Sequence, residues 1–596
     1  MEEKICRVTL TVEEAMSAVV TVGFEKNGAE VTAENVSEEN GKKVYIYALA
    51  AGCYRCRVEG EGYYAKDKDF VVSEEEAACG EKTLRMEMDK MAGTGWEPRT
   101  AVREFTDARV AGEVMKIAPE TLAKYDALFT TPSFSESKAK HEFTTQAEME
   151  AYIAEMDKKC PYMHVYTVAK SRAYQQNIYA IVFTETDLTN AETIEQAAEL
   201  VRADGKVTIQ DQAQIHGSEQ SAGEGALVML QQLCGDYGKA LLRRVNIVLF
   251  PRISVDAAKD HTYTPPQQGN INRDYFEMNS VEIPALVHVY NIFQPEIVVD
   301  QHEFFTVHKY FADVKIGGVD SLNLPMQLRD LQGSILDYEI NKLREEKLRP
   351  FYYRSKSTNC SPVTGRGTYA IRGSISILLE IPGVRIGKLD WKRRVLSQYL
   401  AVRNIFDYTA AHAEEVQAVV AQTRIDIAKA GETFDPVGNQ IYLQHKTGTP
   451  FYLHCPTYSL VDGSYLGDET AKLAKFDRPT LWRARPLAYV IPKSAERIAR
   501  ILEIADWQGI SYREVGADES LLLRQYRGNT EAAALNDEQE YTFESGAWLF
   551  PMNQVTGVVL ALLMEPDMLD CTQGAASFAQ QGLLPVSDLY RCEHME

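Results

Sequence analysis

From about residue 130 to about residue 430, short apolar runs and amphipathic helical patterns take turns along the chain. "MHVYTVAKS" and "NIYAIVFTE" predict strands, as does 207–215, which a helix over 219–233 follows. Then come a strand "RVNIVLF", a helix "SVEIPALVHVYNIF", a strand "PEIVVD", a helix over 320–347, a strand "SISILLE" and a helix around 390–430. Strands joined through helices cannot pair as hairpins, so they must lie in a largely parallel sheet covered on its faces. The expected class is α/β, a three-layer domain around a mixed, largely parallel sheet. Such sheets carry their chemistry at the carboxyl ends of the strands.

At 596 residues the chain exceeds one ordinary domain. The alternating segments "ICRVTLTV", "KKVYIYALA" and "KTLRMEMDK" predict a small β-sandwich over 1–95. Residues 96–130 read as a linker with a helical piece, 131–430 as the α/β domain and 431–596 as a mixed α+β domain. The net charge of −22 argues against a nucleic-acid surface. "MEEKICRVTL" has no basic n-region or apolar h-region, so a cytoplasmic location is expected, or an extracytoplasmic one if a leader has been removed. The apolar run "VVLALLM" is too short to span a bilayer. Of ten cysteines only Cys53 and Cys56 are closely spaced, and free thiols are expected.

Several predicted strands end on groups suited to metal or carboxylate chemistry. His216 and Glu219 follow the strand over 207–215, Asp300 and His302 end "PEIVVDQH", and Glu380 ends "SISILLE". Asn272 and Arg273 lie in the loop "GNINRDY". The H-x-x-E spacing is weak evidence by itself and recurs at His412 and Glu415, where two neighbours on a solvated helix face are the simpler reading. Two imidazoles and one carboxylate are, however, a standard set for a catalytic zinc with an open position for water. A further carboxylate, Glu380, would serve as general base. Asp300 would hold the free N–H of His302, and Arg273 with Asn272 would suit an anionic substrate end.

In type and order these residues resemble those of the zinc carboxypeptidases, the M14 metallopeptidases related to carboxypeptidase A. His216 and Glu219 match the family's H-x-x-E. "INRDY" matches its Asn-Arg loop, His302 its third ligand and Glu380 its catalytic glutamate. The resemblance covers about residues 135 to 430. It implies one Zn²⁺ per chain, held by His216, Glu219 and His302, and hydrolysis of the C-terminal peptide bond of a substrate with a free carboxylate. Where the family has "N-P-D-G" this chain has Ser254, Val255, Asp256 and Ala257, and no arginine falls between there and Asn272 to polarise the scissile carbonyl. Arg366 and Arg372 are candidates for that charge, and Tyr369, between them, for the family's mobile tyrosine.

Two other readings remain open on the sequence. One is a zinc amidohydrolase, a deacylase or peptidoglycan amidase, on the same scaffold. The other is a weakly active or inactive member that binds. Glu224 reads as a residue that caps or decorates its helix, and Glu303, His288, His308, His445 and His454 as structural or exposed. Oligomeric state is not legible.

Overall fold

The computed structural model describes residues 6–13, 19–24, 30–39, 42–50, 52–59, 66–72, 81–87, 118–138, 142–266, 268–304, 312–353, 361–384, 387–446, 450–458, 465–474, 478–568 and 576–594. "MAGTGWEPRT" and His308 lie outside these residues, as do the side chains of His445 and His454. The chain divides into two compact units, Met1–Arg99 and Thr100–Glu596.

The first unit contains two four-stranded sheets. In one, Cys6–Glu13 pairs antiparallel with Lys42–Leu49 and parallel with Glu81–Glu87. Val8, Leu10, Tyr47 and Leu49 are buried, as the alternation of apolar and polar residues requires of a sheet with one covered face.

The second unit is built on an eight-stranded mixed sheet. Its strands are β1 (Met163–Lys170), β2 (Asn177–Phe183), β3 (Val207–Ala213), β4 (Val245–Phe250), β5 (Ile297–Phe304), β6 (Val314–Gly317), β7 (Pro350–Tyr352) and β8 (Ile375–Pro382), in the spatial order β7-β6-β8-β5-β3-β4-β2-β1. The central strands β4, β3, β5 and β8 are parallel to one another. β6 runs antiparallel to β8, and β1 and β2 form an antiparallel edge. β3, β4 and β8 are buried at every position, which explains why β4 and β8 read as mostly apolar runs rather than alternating ones.

The helices that pack around the sheet and the site include α1 (Gln146–Asp157), α2 (Ile194–Ala203), α3 (Gln220–Leu233), α4 (Glu282–Phe293), α5 (Met326–Glu345), α6 (Gly365–Ala370), α7 (Trp391–Ala411), α8 (Ala413–Lys429), α9 (Ile498–Gln508) and α10 (Gly557–Met564). The first starts at a reciprocal capping box, in which Thr145 and Glu148 satisfy each other's backbone N–H groups. α3 packs on α7 closely enough that a Cβ at Gly225 would fall 2.5 Å from Gln398 Cβ. The helix expected around 390–430 breaks at His412. That ring stacks on Tyr408 at 4.0 Å, and its Nδ1 donates to the Tyr408 carbonyl at 2.9 Å, so this second H-x-x-E copy is a helix junction.

One hydrophobic core runs from Leu128 to Leu589, so 131–430 and 431–596 share it. α9 packs on α4 and α10 on α8, and α10 is buried at every position. A buried polar knot ties in the last segments: Glu565 accepts from Tyr489 Oη at 2.6 Å, Tyr526 Oη at 2.8 Å and Arg483 at 3.0 Å. Among the described residues no helix is long and apolar enough to cross a membrane. Cys160, Cys234 and Cys592 are free thiols.

Glu282, in the first turn of α4, is fully buried. Burial pushes its carboxyl up from 4.5 to about 7, against the opposing effect of hydrogen bonds that include one from Gln268. The folded protein therefore holds this proton when the unfolded chain has released it. The stabilising contribution is complete below about 4.5 and is lost as pH rises through about 7. Relative to Glu282→Gln, the native protein should lose up to roughly 3 kcal/mol of stability across that window, read from thermal melts at pH 5 and pH 8.

Candidate metal centre and active site

β3 ends in polar residues although it is buried: Gln210, Asp211 and Gln212 are all inaccessible. Their amides and carboxylates bond sideways, Asp211 accepting from Gln301 of β5 at 2.7 Å, which carries a polar lining up to the strand ends. The chain then turns sharply. Gln214 takes a left-handed backbone (φ 56°), unusual for a residue with a side chain. It is held there from several sides: its Nε2 donates to the Gly217 carbonyl at 2.9 Å, its Oε1 accepts from Arg252 at 2.8 Å and its carbonyl accepts from Ser254 N–H. Gly217 is required at the turn, because a Cβ there would meet the Ala257 carbonyl carbon at 2.1 Å. The turn aims His216 back over the sheet and puts Glu219 at the N-cap of α3, where the helix dipole favours a carboxylate.

The two imidazoles meet on that carboxylate. His216 Nδ1 lies 2.8 Å from Glu219 Oε1, and His302 Nδ1, on β5, lies 2.9 Å from Glu219 Oε2. One donor atom from each residue falls within 4.8 Å of the other two, and all three side chains are buried. Each outer ring nitrogen faces an oxygen, His216 Nε2 at 3.1 Å from Asn270 Oδ1 and His302 Nε2 at 3.1 Å from Asp300 Oδ1. Electrostatics match a cation at the centre. Burial alone would raise Glu219, yet His216 and His302 hold it well below the usual carboxylate range. Burial would lower His302, yet Asp300 and Glu219 hold it well above the usual imidazole range.

Glu380 stands one strand away, the register partner of His302. Its Oε2 is buried and makes no hydrogen bond among the described residues. Burial pushes its carboxyl up, Glu219 adds to the rise, and His302, Lys315 and Arg366 oppose it. Asn272 Nδ2 lies 3.4 Å from His302 Nε2, and its Oδ1 accepts the Gly365 N–H at 2.9 Å, so the Asn-Arg loop is joined to the first turn of α6. Arg273 is half-buried, and its Nη1 donates to the Asn272 carbonyl at 2.8 Å.

Not every expected residue reaches the site. Tyr369 is fully buried in an aromatic cluster with Tyr275 and Tyr290, at 5.6 and 4.7 Å between ring centroids. Arg372 points away, donating to the Gln508 carbonyl at 2.9 Å. Arg366, by contrast, is buried within electrostatic reach of Asp300 and Glu380. Glu224 is no surface decoration: it accepts from Thr144 Oγ1 at 2.6 Å and from Thr131 Oγ1, fastening these two threonines to α3. His288 is a surface partner of Glu195 at 2.8 Å.

Two residues at the site went unnoticed in the sequence. Tyr263 stacks on the His216 ring at 3.8 Å and 19°, with its edge exposed. Lys315, on β6, is the register partner of Glu380. Neither has a sequence signal, since both arrive through pairings of remote segments.

Residues 149–275 match the family model Peptidase_M14, zinc carboxypeptidase. Carboxypeptidase 2 of Trichophyton rubrum is 22% identical over 428 residues, which cover 64% of this chain and 75% of that protein. Carboxypeptidase 2 of Trichophyton tonsurans is 23% identical over 428 residues, with the same coverage. A solved metallo-carboxypeptidase from Burkholderia cenocepacia aligns at a TM-score of 0.36 and 12% identity, covering 68% of this chain and 86% of that one. The protein is a metallocarboxypeptidase-class hydrolase. Over that matched segment the chain is similar to the zinc carboxypeptidases, the M14 metallopeptidases, a family that implies zinc and peptide substrates.

Proposed function

We propose that this protein is a zinc-dependent exopeptidase that removes C-terminal residues from peptides, with His216, Glu219 and His302 holding one Zn²⁺ and Glu380 as general base. The convergence of those three donor groups, with an unpaired buried carboxylate oxygen one strand away, carries the reading. The donor set fits the ion: two neutral imidazole nitrogens and one carboxylate, each imidazole with an oxygen partner on its far nitrogen. When bound, zinc supplies an acidified water and a Lewis acid for the scissile carbonyl.

The chain's own residues supply the rest. Glu380 accepts the proton of the attacking water at a carboxylate oxygen and later delivers it to the departing amine. Arg273 and Asn272 hold the substrate's terminal carboxylate, which restricts cleavage to the last peptide bond. Asn270 Oδ1 faces the outer nitrogen of His216 and the Asp300 carboxylate lies against that of His302, so that each Nδ1 would be left to face the ion. Tyr263, against His216, closes one wall and presents a phenol to the site.

The deciding test joins zinc analysis of the purified protein with digestion of a peptide library, read by mass spectrometry. Stepwise loss of C-terminal residues is expected, and blocking by C-terminal amidation. Stoichiometric zinc with cleavage of N-acyl amino acids but of no peptide would support a deacylase instead. Asp300→Asn should weaken zinc binding by about 10- to 100-fold in a chelator competition, since the imidazole would lose the partner that sets its tautomer. An unchanged affinity would remove Asp300 from that role.

A further inference from the structure

The sheet brings a row of three side chains to one place. His302 on β5 is paired with Glu380 on β8, and Glu380 with Lys315 on β6. Register partners on neighbouring strands project from the same face. Lys315 therefore flanks the general base on the side away from the metal ligands. Its Nζ sits 3.9 Å from the centre of the Phe304 ring, at the end of β5, so the ammonium lies at the strand ends where the site opens.

A second cation meets it there. Arg366 lies in the first turn of α6, the turn whose Gly365 N–H is bonded to Asn272. Its guanidinium is buried over the Tyr353 ring at 5.3 Å. Two residues after Lys315 on the same strand face stands Gly317, and a Cβ there would fall 2.9 Å from Arg366 Nη1. The missing side chain is the space the guanidinium uses. Among the described residues, the Asp300, Glu380 and Asp320 carboxylates lie within electrostatic reach of Arg366. Lys315 and Arg366 thus converge beside Glu380 and next to the Asn272–Arg273 loop. That is where the side chain of a terminal residue would lie if its carboxylate is held by Arg273.

We infer that Lys315 and Arg366 form an anion-reading subsite, and that the enzyme prefers substrates whose last residue carries a side-chain carboxylate, glutamate or aspartate. The inference rests on the carboxypeptidase reading above and specifies its substrate class. A guanidinium offers a carboxylate two parallel N–H donors, and the ammonium adds a point charge from the neighbouring strand.

The test uses the full-length zinc-loaded protein and a series of acyl dipeptides that differ only in the last residue: Glu, Asp, Gln, Phe and Lys. The expected result is a kcat/KM for Glu about 10- to 100-fold above that for Gln, the uncharged isostere, and a still larger gap to Lys. In Lys315→Met and Arg366→Met, checked for zinc content and melting temperature, the Glu-to-Gln ratio should collapse toward one, mainly through KM for Glu. Equal or better cleavage of Gln, Phe or Lys peptides by the native protein would overturn the inference, whatever the variants do. So would a variant that lowers kcat alike for every peptide, since that would place the cation on the reacting carbonyl. A zinc-loaded protein that cleaves none of the series overturns the carboxypeptidase reading itself, and this inference falls with it.

Discussion

Glu380→Gln is expected to keep zinc at the native level and to lose about 100- to 10,000-fold in kcat. The amide is nearly isosteric with the carboxylate, so packing around β8 should survive. It cannot take a proton, however, and among the described residues no second group is placed to do so: Glu219 is occupied by two imidazoles and Asp300 faces His302. Removing a buried negative charge should, if anything, raise thermal stability, because burial already pushes the Glu380 carboxyl up. Zinc analysis, a thermal melt and steady-state kinetics on one C-terminal peptide suffice. A Gln variant of near-native kcat would remove Glu380 from the mechanism, while loss of zinc would make it a ligand-shell residue.

The second large effect concerns stability. Glu303 directly follows His302 on β5, and its side chain is inaccessible. Arg394 of α7 grips it with two contacts, at 2.8 and 3.0 Å, and Ser221 N–H in the first turn of α3 donates to it at 3.2 Å. One buried carboxylate thus links the strand carrying His302, the helix that begins just after Glu219, and α7. Arg394→Met should cost about 3–5 kcal/mol, because it leaves an uncompensated charge in the interior. The fall should appear in denaturant unfolding, together with weaker zinc retention as the strand end loses its anchor. In Arg394→Met/Glu303→Met the charge is gone from both sides, and most of the loss should be recovered. A double variant no more stable than Arg394→Met would assign the cost to lost packing of the arginine against Trp391, whose ring lies 4.9 Å from the guanidinium carbon.

The central sheet was legible because its signals are local. β4 and β8 are buried on both faces, so they are mostly apolar, with Asn246, Ser376 and Glu380 as the exceptions, and such a run bounded by helices shows in the residues themselves. The helix over 390–430 was less so: its pattern of apolar positions continues through His412, and only the stacking on Tyr408 marks the break. Tyr369 drew attention because it is aromatic and precedes Glu380 by one strand, but α6 turns that ring into the core against Tyr275 and Tyr290. Arg366 and Arg372 are equivalent in sequence terms, yet six residues of chain in a short helix send one to the site and the other to α9. The segment after 430 read as separate because its strands are irregular. Its burial is decided by α9 and α10 meeting α4 and α8, contacts no local pattern records.

By itself, the sequence determined which residues are chemically able to bind a cation and which strands they terminate. Ligand types, a turn demanding Gly217, and the order of strand and helix are properties of short stretches. The tertiary structure alone decided which neighbours those residues acquire. Lys315 stands beside Glu380 because β6 pairs antiparallel with β8 in one register, and a slip of one residue would turn it to the opposite face. Tyr263 reaches His216 because a loop after β4 folds back over the end of β3. Such pairings are set by long-range packing free energy summed over the whole sheet, so no window of the chain contains them.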